Sequence, residues 1–209
     1  MTEVANAFWR ERAPLILASK SSARAALLKQ TRIPFIVEAT EIDERAAEAP
    51  LRQSGAGARE IGAHLARSKA QAVSAQHPEH IVLGADQTLE LGDRMFTKPA
   101  DRDEGLEQLR ALSAQEHALH SAICVVRAGE ILLEASETAR MQMRPLSDAF
   151  LAAYAEAAGA ALTASVGAYQ VEGLGIHLFE SIAGDHSTIL GLPLIPLLAF
   201  LRRNGSLLD

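Results

Sequence analysis

Short apolar runs and helix-forming stretches alternate along most of the chain. An apolar run bounded by turn residues is typical of a buried strand. We therefore predict strands at Leu15–Leu17, Ile33–Val37, Ile81–Ala85 and Ile176–Ile182. Good helix formers, or apolar residues at helical spacing, predict helices at Ala23–Gln30, Ser54–Gln76 and Leu192–Arg203.

The middle of the chain carries a long strand pattern. His117–Arg127 and Glu130–Arg144 predict two strands joined by a turn at Ala128-Gly129. In the second stretch apolar and polar residues alternate, as they do in a half-buried strand. Residues that cap helices predict two more, one starting at Asp101 or Asp103 and ending at Leu112, the other starting after Ser147 and ending at Ala158.

The near-continuous apolar run Ile81–Ala85 is typical of the buried strands of α/β sheets. The length of 209 residues fits one large domain or two modest lobes. A hydrophobic content of 48% is enough for a sizeable core, and 22% charged residues is average for a soluble domain.

Charge and apolar runs exclude several classes of protein. A formal net charge of -6 argues against a general nucleic-acid binder, which would carry a basic face. The longest apolar run, Ile189–Leu201, contains two prolines and is shorter than the roughly 20 residues of a membrane helix. No secretory signal is apparent, and the lone Cys124 is interpreted as a small core residue in a reducing compartment. We therefore expect a cytoplasmic protein with no nucleic-acid or membrane partner.

The strand-to-helix turn after Leu17 is the first candidate site. Ser19, Lys20, Ser21 and Arg24 lie where a helix begins, and a helix N-terminus attracts anions through its unpaired N–H groups and dipole. One interpretation is a phosphate-binding turn without the usual glycines. An ordinary connection with a serine cap is the other interpretation, and the sequence favours neither.

Two further stretches hold charges that could serve a site. Glu38–Glu48 is dense in carboxylates, with Glu44 among them, and predicts a solvated acidic loop or, less favoured, a metal-binding arm. Lys69 lies on or beside the apolar stripe of its helix. It is expected to extend to solvent, with an interaction with an anion as the alternative.

Asp86 follows directly after the predicted buried strand Ile81–Ala85. Because ligand sites of α/β sheets lie beyond the carboxyl ends of strands, Asp86 is a candidate site residue; a turn-capping aspartate is the alternative. Pro99 restricts Lys98 to an extended conformation, which gives its side chain a defined direction. The sequence contains no nucleophile elbow, P-loop or dinucleotide fingerprint.

These stretches together resemble the Maf family, also called septum formation inhibitor proteins, of nucleoside triphosphate pyrophosphatases. Each motif is weak alone, but six in the family's order and spacing are specific. The motifs are LILASKSSARAALL at 15–28, EIDE at 41–44, LARSKA at 65–70, LGADQT at 83–88, TKP at 97–99 and GAYQVEG…GLPL at 167–194. The resemblance divides the chain into a lead segment at 1–13, one Maf-like domain at 14–205 and a tail at 206–209.

The resemblance implies a mixed central sheet flanked by helices, similar to inosine triphosphate pyrophosphatases, elongated, with two lobes and a central cleft. It implies hydrolysis of a nucleoside triphosphate between the α and β phosphates, which would keep non-standard nucleotides out of nucleic acids. It further implies a divalent metal, Mg²⁺ or Mn²⁺, and a homodimer. The implied site residues are Asp86, Lys98, Lys69 and Glu44 for catalysis, Ser19, Ser21, Arg24, Gln87 and Glu172 for substrate binding, and Asp86 and Glu44 for the metal.

The chain departs from the usual Maf pattern at several positions. Ala23 stands where the family usually has an arginine, Gln87 where it has threonine, and Glu172 where the pyrimidine-preferring branch has glutamine. Gln87 and Glu172 resemble the branch that acts on 7-methylguanosine triphosphate, whereas Ala23 fits neither branch. We predict that Glu172 recognises a guanine-type base, with help from Gln87.

Three alternatives stay open. The chain could prefer thymidine or uridine triphosphate. It could be a nucleotide-binding regulator of cell division with little catalysis, which is the role recorded in the family name. It could also be a sugar- or phosphate-binding module that uses only the serine-rich turn.

Overall fold

The computed structural model describes residues 7–39 and 42–209. These residues form one mixed sheet with helices around it. The strands are β1 (Leu15–Ala18), β2 (Phe35–Val37), β3 (Val82–Leu91), β4 (Arg94–Phe96), β5 (Glu116–Arg127), β6 (Glu130–Met143) and β7 (Phe179–Ala183). The helices are α1 (Ser22–Gln30), α2 (Glu44–Gln53), α3 (Ala58–Ser74), α4 (Arg102–Leu112), α5 (Asp148–Ala158), α6 (Ala161–Ala164), α7 (His186–Ile189) and α8 (Leu194–Arg203).

The sheet confirms the predicted α/β class and its mixed character. Its strand order is β2-β1-β3-β5-β6-β7, and β4 pairs with β3 off this path. β1 runs parallel to β2 and β3, whereas β4 is antiparallel to β3 and β7 is antiparallel to β6. The ladder between β1 and β3 ends at the pair Ala18 and Gly84.

The chain divides into two compact units. Unit 1 comprises the described residues up to Gln87, together with Ser121–Glu137 and His186–Asp209. Unit 2 comprises Thr88–His120 and Thr138–Asp185. Within unit 1, Trp9 forms an isolated bridge with Leu207, so the described part of the lead segment packs beside the C-terminal tail.

Unit 1 has a core on each face of β1, which explains why this strand is apolar at every position. Leu15 and Leu17 belong to the larger cluster, which includes residues of α1 and α8. Ile16 and Ala18 belong to the smaller cluster, formed with residues of α3 and with Cys124. As predicted, Cys124 is a buried core residue, and burial raises the pKa of its thiol to about 12.

Gly84 lies where α3 packs against β3. A Cβ atom at this position would collide with the carbonyl oxygen of Ala66 and would lie 2.8 Å from the amide nitrogen of Ala70. The absence of a side chain at position 84 therefore lets the backbones of α3 and β3 approach closely.

Most predicted elements are confirmed to within a few residues. Ser21, Asp101 and Ser147 accept hydrogen bonds from the backbone amides of Arg24, Glu104 and Phe150, and so cap α1, α4 and α5 as the sequence indicates. The two long strands β5 and β6 and the turn between them also agree with the prediction. Among the described residues no helix is long and apolar enough to cross a bilayer.

Three predictions about local structure were wrong. The acidic stretch is not a loop from Glu38 to Glu48, because α2 begins at Glu44 and Asp43 caps it by accepting from the amide of Ala46. Asp86 does not follow a strand but lies within β3. The predicted strand from Ile176 starts as a 3₁₀ turn, Leu174–Leu178, and becomes extended only at Phe179.

The core of unit 2 contains the buried histidine His117. The Nε2 atom of His117 lies 2.7 Å from the hydroxyl of Tyr169, and its Nδ1 atom has no hydrogen-bond partner among the described residues. Only 2% of His117 is exposed, and burial lowers its pKa from 6.5 to about 4. His117 is therefore neutral in the folded protein at neutral pH.

This burial predicts a loss of stability in acid. The unfolded chain takes up a proton on His117 at about pH 6.5, whereas the folded chain resists protonation until about pH 4. The contribution of neutral His117 to the free energy of unfolding is thus complete above the pKa of the unfolded chain. It is lost as the pH falls toward the pKa of the folded chain. The expected loss is about 2 kcal/mol of unfolding free energy between pH 7 and 5.

The measurement is urea denaturation of wild type and of His117→Phe at both pH values. The variant should lose less stability than wild type as the pH falls. His177→Gln, at an exposed histidine of the same unit, is the control and should keep the wild-type difference. Equal pH dependence in His117→Phe and wild type would assign the acid sensitivity to other groups.

Candidate active site

The turn between β1 and α1 is held by its own serines. The hydroxyl of Ser19 accepts from the amide of Ser21, and the hydroxyl of Ser21 accepts from the amide of Arg24, both at 3.3 Å. Ser19 is only 6% exposed, whereas Lys20 is exposed. Ser21 thus serves as the helix cap that one of the two sequence interpretations predicted, and each hydroxyl still has a proton to donate.

The guanidinium group of Arg24 faces the protein rather than open solvent. Its Nε atom donates to the Gly191 carbonyl at 2.9 Å, and its Nη1 atom donates to the Ala85 carbonyl at 2.8 Å and to the Ser19 hydroxyl at 3.1 Å. Burial lowers the pKa of Arg24, while the charges of Asp86 and Glu44 oppose that change. An arginine remains cationic under these conditions.

Lys69 joins the two acidic candidates. Its Nζ atom lies 2.6 Å from Oδ1 of Asp86 and 2.8 Å from Oε1 of Glu44. The side chain of Lys69 is only 12% exposed. The expectation that this lysine extends to solvent was therefore wrong, and the alternative of an interaction with an anion is correct.

Asp86 is a buried carboxylate in the middle of β3. Burial raises its pKa, while the positive charges of Lys69 and Arg24 lower it. The side chain of Asp86 is 10% exposed and that of Glu44 is 51% exposed, so Lys69 connects an internal acid to one near the surface.

A pocket of about 300 Å³ lies beside this lysine in unit 1. Its lining combines one hydroxyl, two ammonium groups and a carboxylate with apolar side chains: Ala18, Ser19, Lys20, Ala39, Ile42, Glu44 and Lys69. Positive and hydroxyl groups at such a pocket suit a phosphate. Lys20 was considered with the turn in the sequence but was not among the residues that the family resemblance implied.

Asp86 and Glu44 are the acidic residues near the pocket that could serve a divalent metal. Within residues 7–39 and 42–209 there is no cluster of three or more histidine, cysteine, aspartate or glutamate side chains that could hold a metal by themselves. Mg²⁺ commonly uses one or two carboxylates and completes its shell with substrate phosphates and water. Asp86 and Glu44 fit that mode of binding. Glu41, the other acid of its motif, lies outside the described residues.

Gln87 is turned toward the protein's own backbone. Its Nε2 atom is 2.9 Å from the Ser121 hydroxyl, 3.0 Å from the Ile189 carbonyl and 3.2 Å from the Thr188 carbonyl. Ser121 is fully buried, and its hydroxyl donates to the same Thr188 carbonyl at 2.7 Å. Sequence analysis missed Ser121, although a single serine before the apolar run of β5 was a detectable signal.

Lys98 and Glu172 belong to unit 2, and both are exposed. Lys98 follows β4 in an irregular segment that precedes α4. Glu172 lies in a tight turn in which the Gln170 carbonyl accepts from the amides of Gly173 and Gly175, each at 3.1 Å. A Cβ atom at Gly175 would collide with that carbonyl, so the turn requires glycine there.

The model of the family described as Maf-like protein matches residues 14–204. The chain belongs to the Maf family. The family resemblance found in the sequence motifs is thereby confirmed.

Named relatives cover nearly the whole chain. A nucleoside triphosphate pyrophosphatase of Bradyrhizobium diazoefficiens is 57% identical over 194 residues, 93% of this chain and 95% of the relative. A 7-methyl-GTP pyrophosphatase of Rhizobium etli is 48% identical over 193 residues, 92% of this chain and 97% of the relative. A solved dITP/XTP pyrophosphatase from Mycobacterium abscessus aligns with a TM-score of 0.41 and 16% identity, covering 64% of this Maf protein and 76% of that chain.

Proposed function

We propose that this Maf protein hydrolyses nucleoside triphosphates at the α–β phosphoanhydride and releases a nucleoside monophosphate and pyrophosphate. The observation that carries the proposal is the ion pair between buried Asp86 and Lys69, at 2.6 Å, beside a pocket with hydroxyl and ammonium groups. The names of the relatives support the reaction class.

Asp86 is the proposed general base. Its ionised carboxylate accepts a proton from a water molecule, and the water oxygen forms a bond to a phosphorus atom of the α–β anhydride. The bond from that phosphorus to the bridging oxygen breaks, and the electron pair leaves with the departing phosphate group. Because burial raises the pKa of Asp86, its carboxylate is a stronger base than an exposed aspartate.

Positive charge on the protein favours the loss of the phosphate group. Lys69 and Lys20 line the pocket, and the hydroxyl of Ser19 is a further donor. Catalysis of phosphoryl transfer depends mainly on positioning and on such electrostatic stabilisation. Lys98 is proposed as an additional cation for the triphosphate, on the family resemblance of its Thr-Lys-Pro motif.

Asp86 and Glu44 are the residues that would hold a divalent metal. Such an ion, when bound with the nucleotide, supplies charge neutralisation for the phosphate oxygens. Glu44 is exposed at the N-terminus of α2, so its carboxylate would be accessible to such an ion.

Pyrophosphate release over a panel of nucleoside triphosphates tests the activity and its base preference together. Turnover of at least one nucleotide is the expected result. The alternative of a nucleotide-binding regulator predicts that calorimetry detects binding while no pyrophosphate is released. A phosphate-binding module predicts binding that does not depend on Mg²⁺.

The base preference is proposed to depend on Glu172. Guanine presents two donors on its pairing edge, N1–H and the N2 amino group, and one carboxylate can accept both. The tight turn around the Gln170 carbonyl holds Glu172 at an exposed position where it can meet a ligand. The 7-methyl-GTP relative agrees with a guanine-type substrate, possibly methylated, for this chain.

Replacing Glu172 with glutamine is therefore expected to change the base preference. Glutamine offers one donor and one acceptor, which suits uracil or thymine better than guanine. A mispaired polar group costs about 1–3 kcal/mol. The ratio of kcat/KM for guanine over pyrimidine substrates should thus fall by roughly tenfold or more.

The measurement is kcat/KM for GTP, 7-methyl-GTP, UTP and dTTP in both proteins. Glu156→Gln, which changes an exposed glutamate of α5, is the control and should keep the wild-type ratio. A wild-type ratio in Glu172→Gln would mean that Glu172 has no part in base recognition.

A further inference from the structure

The short helix α7 ends in a turn whose carbonyl groups are bound by side chains from other elements. We call residues 188–191 the 188–191 turn. A helix leaves its last carbonyls without partners inside the helix. Here the Thr188 carbonyl accepts from the amide of Gly191 at 3.0 Å and also from side chains that lie far away in sequence.

Three elements contribute these donors. Gln87 of β3 donates to the carbonyls of Thr188 and Ile189, and Ser121 of β5 donates to that of Thr188. Arg24 of α1 donates to the Gly191 carbonyl. The 188–191 turn is thus attached to α1, β3 and β5 through side-chain hydrogen bonds, all within unit 1.

Two of these side chains also bind or belong to the residues next to Asp86 in the sequence. Arg24 binds the carbonyl of Ala85, which is the residue before it, and Gln87 is the residue after it. Ser121 in turn accepts from Gln87 at 2.9 Å. The backbone on both sides of Asp86 is therefore connected to the 188–191 turn.

The side-chain hydrogen bonds meet β3 close to the end of its ladder with β1. The ladder with β1 ends at Gly84, and the ladder with β4 begins at Leu89. Ala85, Asp86 and Gln87 follow the last residue of β3 that pairs with β1. The guanidinium of Arg24 donates to the carbonyl of Ala85, the first residue beyond that ladder.

We propose that Arg24, Gln87 and Ser121 are positioning residues that hold Asp86 in place through the 188–191 turn. Arg24 and Gln87 then act on the reaction through Asp86 and not by binding the nucleotide. The inference rests on the proposed role of Asp86 as general base. Ser121 is the sharpest test, because it is fully buried and has no direct access to a ligand.

The first experiment compares Ser121→Ala with a matched control. Ser206 is also fully buried. Its hydroxyl accepts from the side-chain amide of Asn204 and donates to the carboxylate of Glu11. Ser206→Ala therefore removes an equivalent pair of hydrogen bonds elsewhere in unit 1. Ser121→Ala should lower kcat roughly tenfold, as expected for a misplaced catalytic group. The affinity for the α,β-methylene analogue of the best panel nucleotide should not change.

Ser206→Ala should keep the wild-type kcat per folded molecule, even if its melting temperature falls as much as that of Ser121→Ala. Wild-type kcat in Ser121→Ala would overturn the inference, and so would an equal loss of kcat in both variants. If wild type releases no pyrophosphate from any nucleotide, the proposed function itself has failed, which is a different result from these.

The second experiment works even if Ser121→Ala does not fold. Arg24→Lys keeps the positive charge but cannot reach the Gly191 and Ala85 carbonyls with the planar geometry of arginine. A positioning role predicts that Arg24→Lys loses as much kcat as Arg24→Met, and that the analogue binds as in wild type. Rescue by lysine together with weaker analogue binding in Arg24→Met would show direct phosphate contact and overturn the inference.

Combining Arg24→Met with Asp86→Asn separates the two roles once more. If Arg24 acts through Asp86, the double variant should be no slower than Asp86→Asn alone. Multiplied losses would mean that Arg24 acts independently of Asp86.

Discussion

Asp86→Asn should lower kcat by about 10²–10⁴-fold, the usual contribution of a general base. Asparagine keeps the size and much of the shape of the side chain but cannot accept the proton of water at neutral pH. Lys69 keeps its second partner, Glu44, so the ammonium group should stay near its present position. The loss is therefore expected to be chemical and not a consequence of a collapsed site.

The measurement is single-turnover pyrophosphate release, with the melting temperature measured in parallel. A buried carboxylate is costly to ionise, so replacing it with a neutral amide should not strongly destabilise the fold. The melting temperature of Asp86→Asn should therefore lie at most a few degrees below that of wild type. Asp93→Asn, in the exposed hairpin between β3 and β4, is the control and should be fully active. Turnover of Asp86→Asn within about tenfold of wild type, roughly 1.4 kcal/mol, would remove Asp86 from the role of base.

Removal of divalent metal should abolish turnover, and addition of Mg²⁺ or Mn²⁺ should restore it. The physical reason is that a triphosphate carries several negative charges into a pocket that already contains Glu44, and whose Lys69 is already paired with Asp86. The protein's own cations there, Lys69 and Lys20, share that pocket with the carboxylate. A hard divalent ion is the usual means of balancing such charge.

Dialysis against EDTA, followed by titration with Mn²⁺, tests this expectation. Calorimetry of Mn²⁺ binding in the presence of the α,β-methylene nucleotide gives a readout that does not depend on turnover. Glu44→Gln should weaken that binding, whereas Glu48→Gln, one turn further along α2 and paired with Arg52, should not. Full turnover in excess chelator would exclude a metal from the mechanism.

The elements around the site could be predicted from sequence because local rules specify them. The apolar run of β1, the serine cap at Ser21 and the helix formers of α1 all act within a few residues of one another. The order of the motifs was sufficient to identify the Maf family, which the family model confirms. The roles of the individual site residues stay predictions until variants are measured.

The parts that sequence analysis missed depend on distant partners. Arg24 and Gly191 are 167 residues apart, and Gln87 and Ile189 are 102 apart, so no local pattern indicates that these side chains bind backbone carbonyls. Lys69 was expected to extend to solvent because the sequence of α3 alone does not show that Asp86 lies beside it on another element. The acidic stretch was interpreted as a loop because it is dense in carboxylates. One of these, Asp43, is in fact the cap of α2.

The absence of a side chain at Gly84 bears on how inactive members of the family can be recognised from their sequences. Position 84 lies on the strand that carries Asp86, and it faces Ala66 and Ala70 on either side of Lys69 in the helix. Any side chain at this position would act as a wedge between the two backbones and would separate the acid from its lysine. A homologue that keeps every polar site residue would thus be inactive if position 84 carried a single added methyl group. A comparison of charged and hydroxyl side chains alone would still classify that homologue as an enzyme.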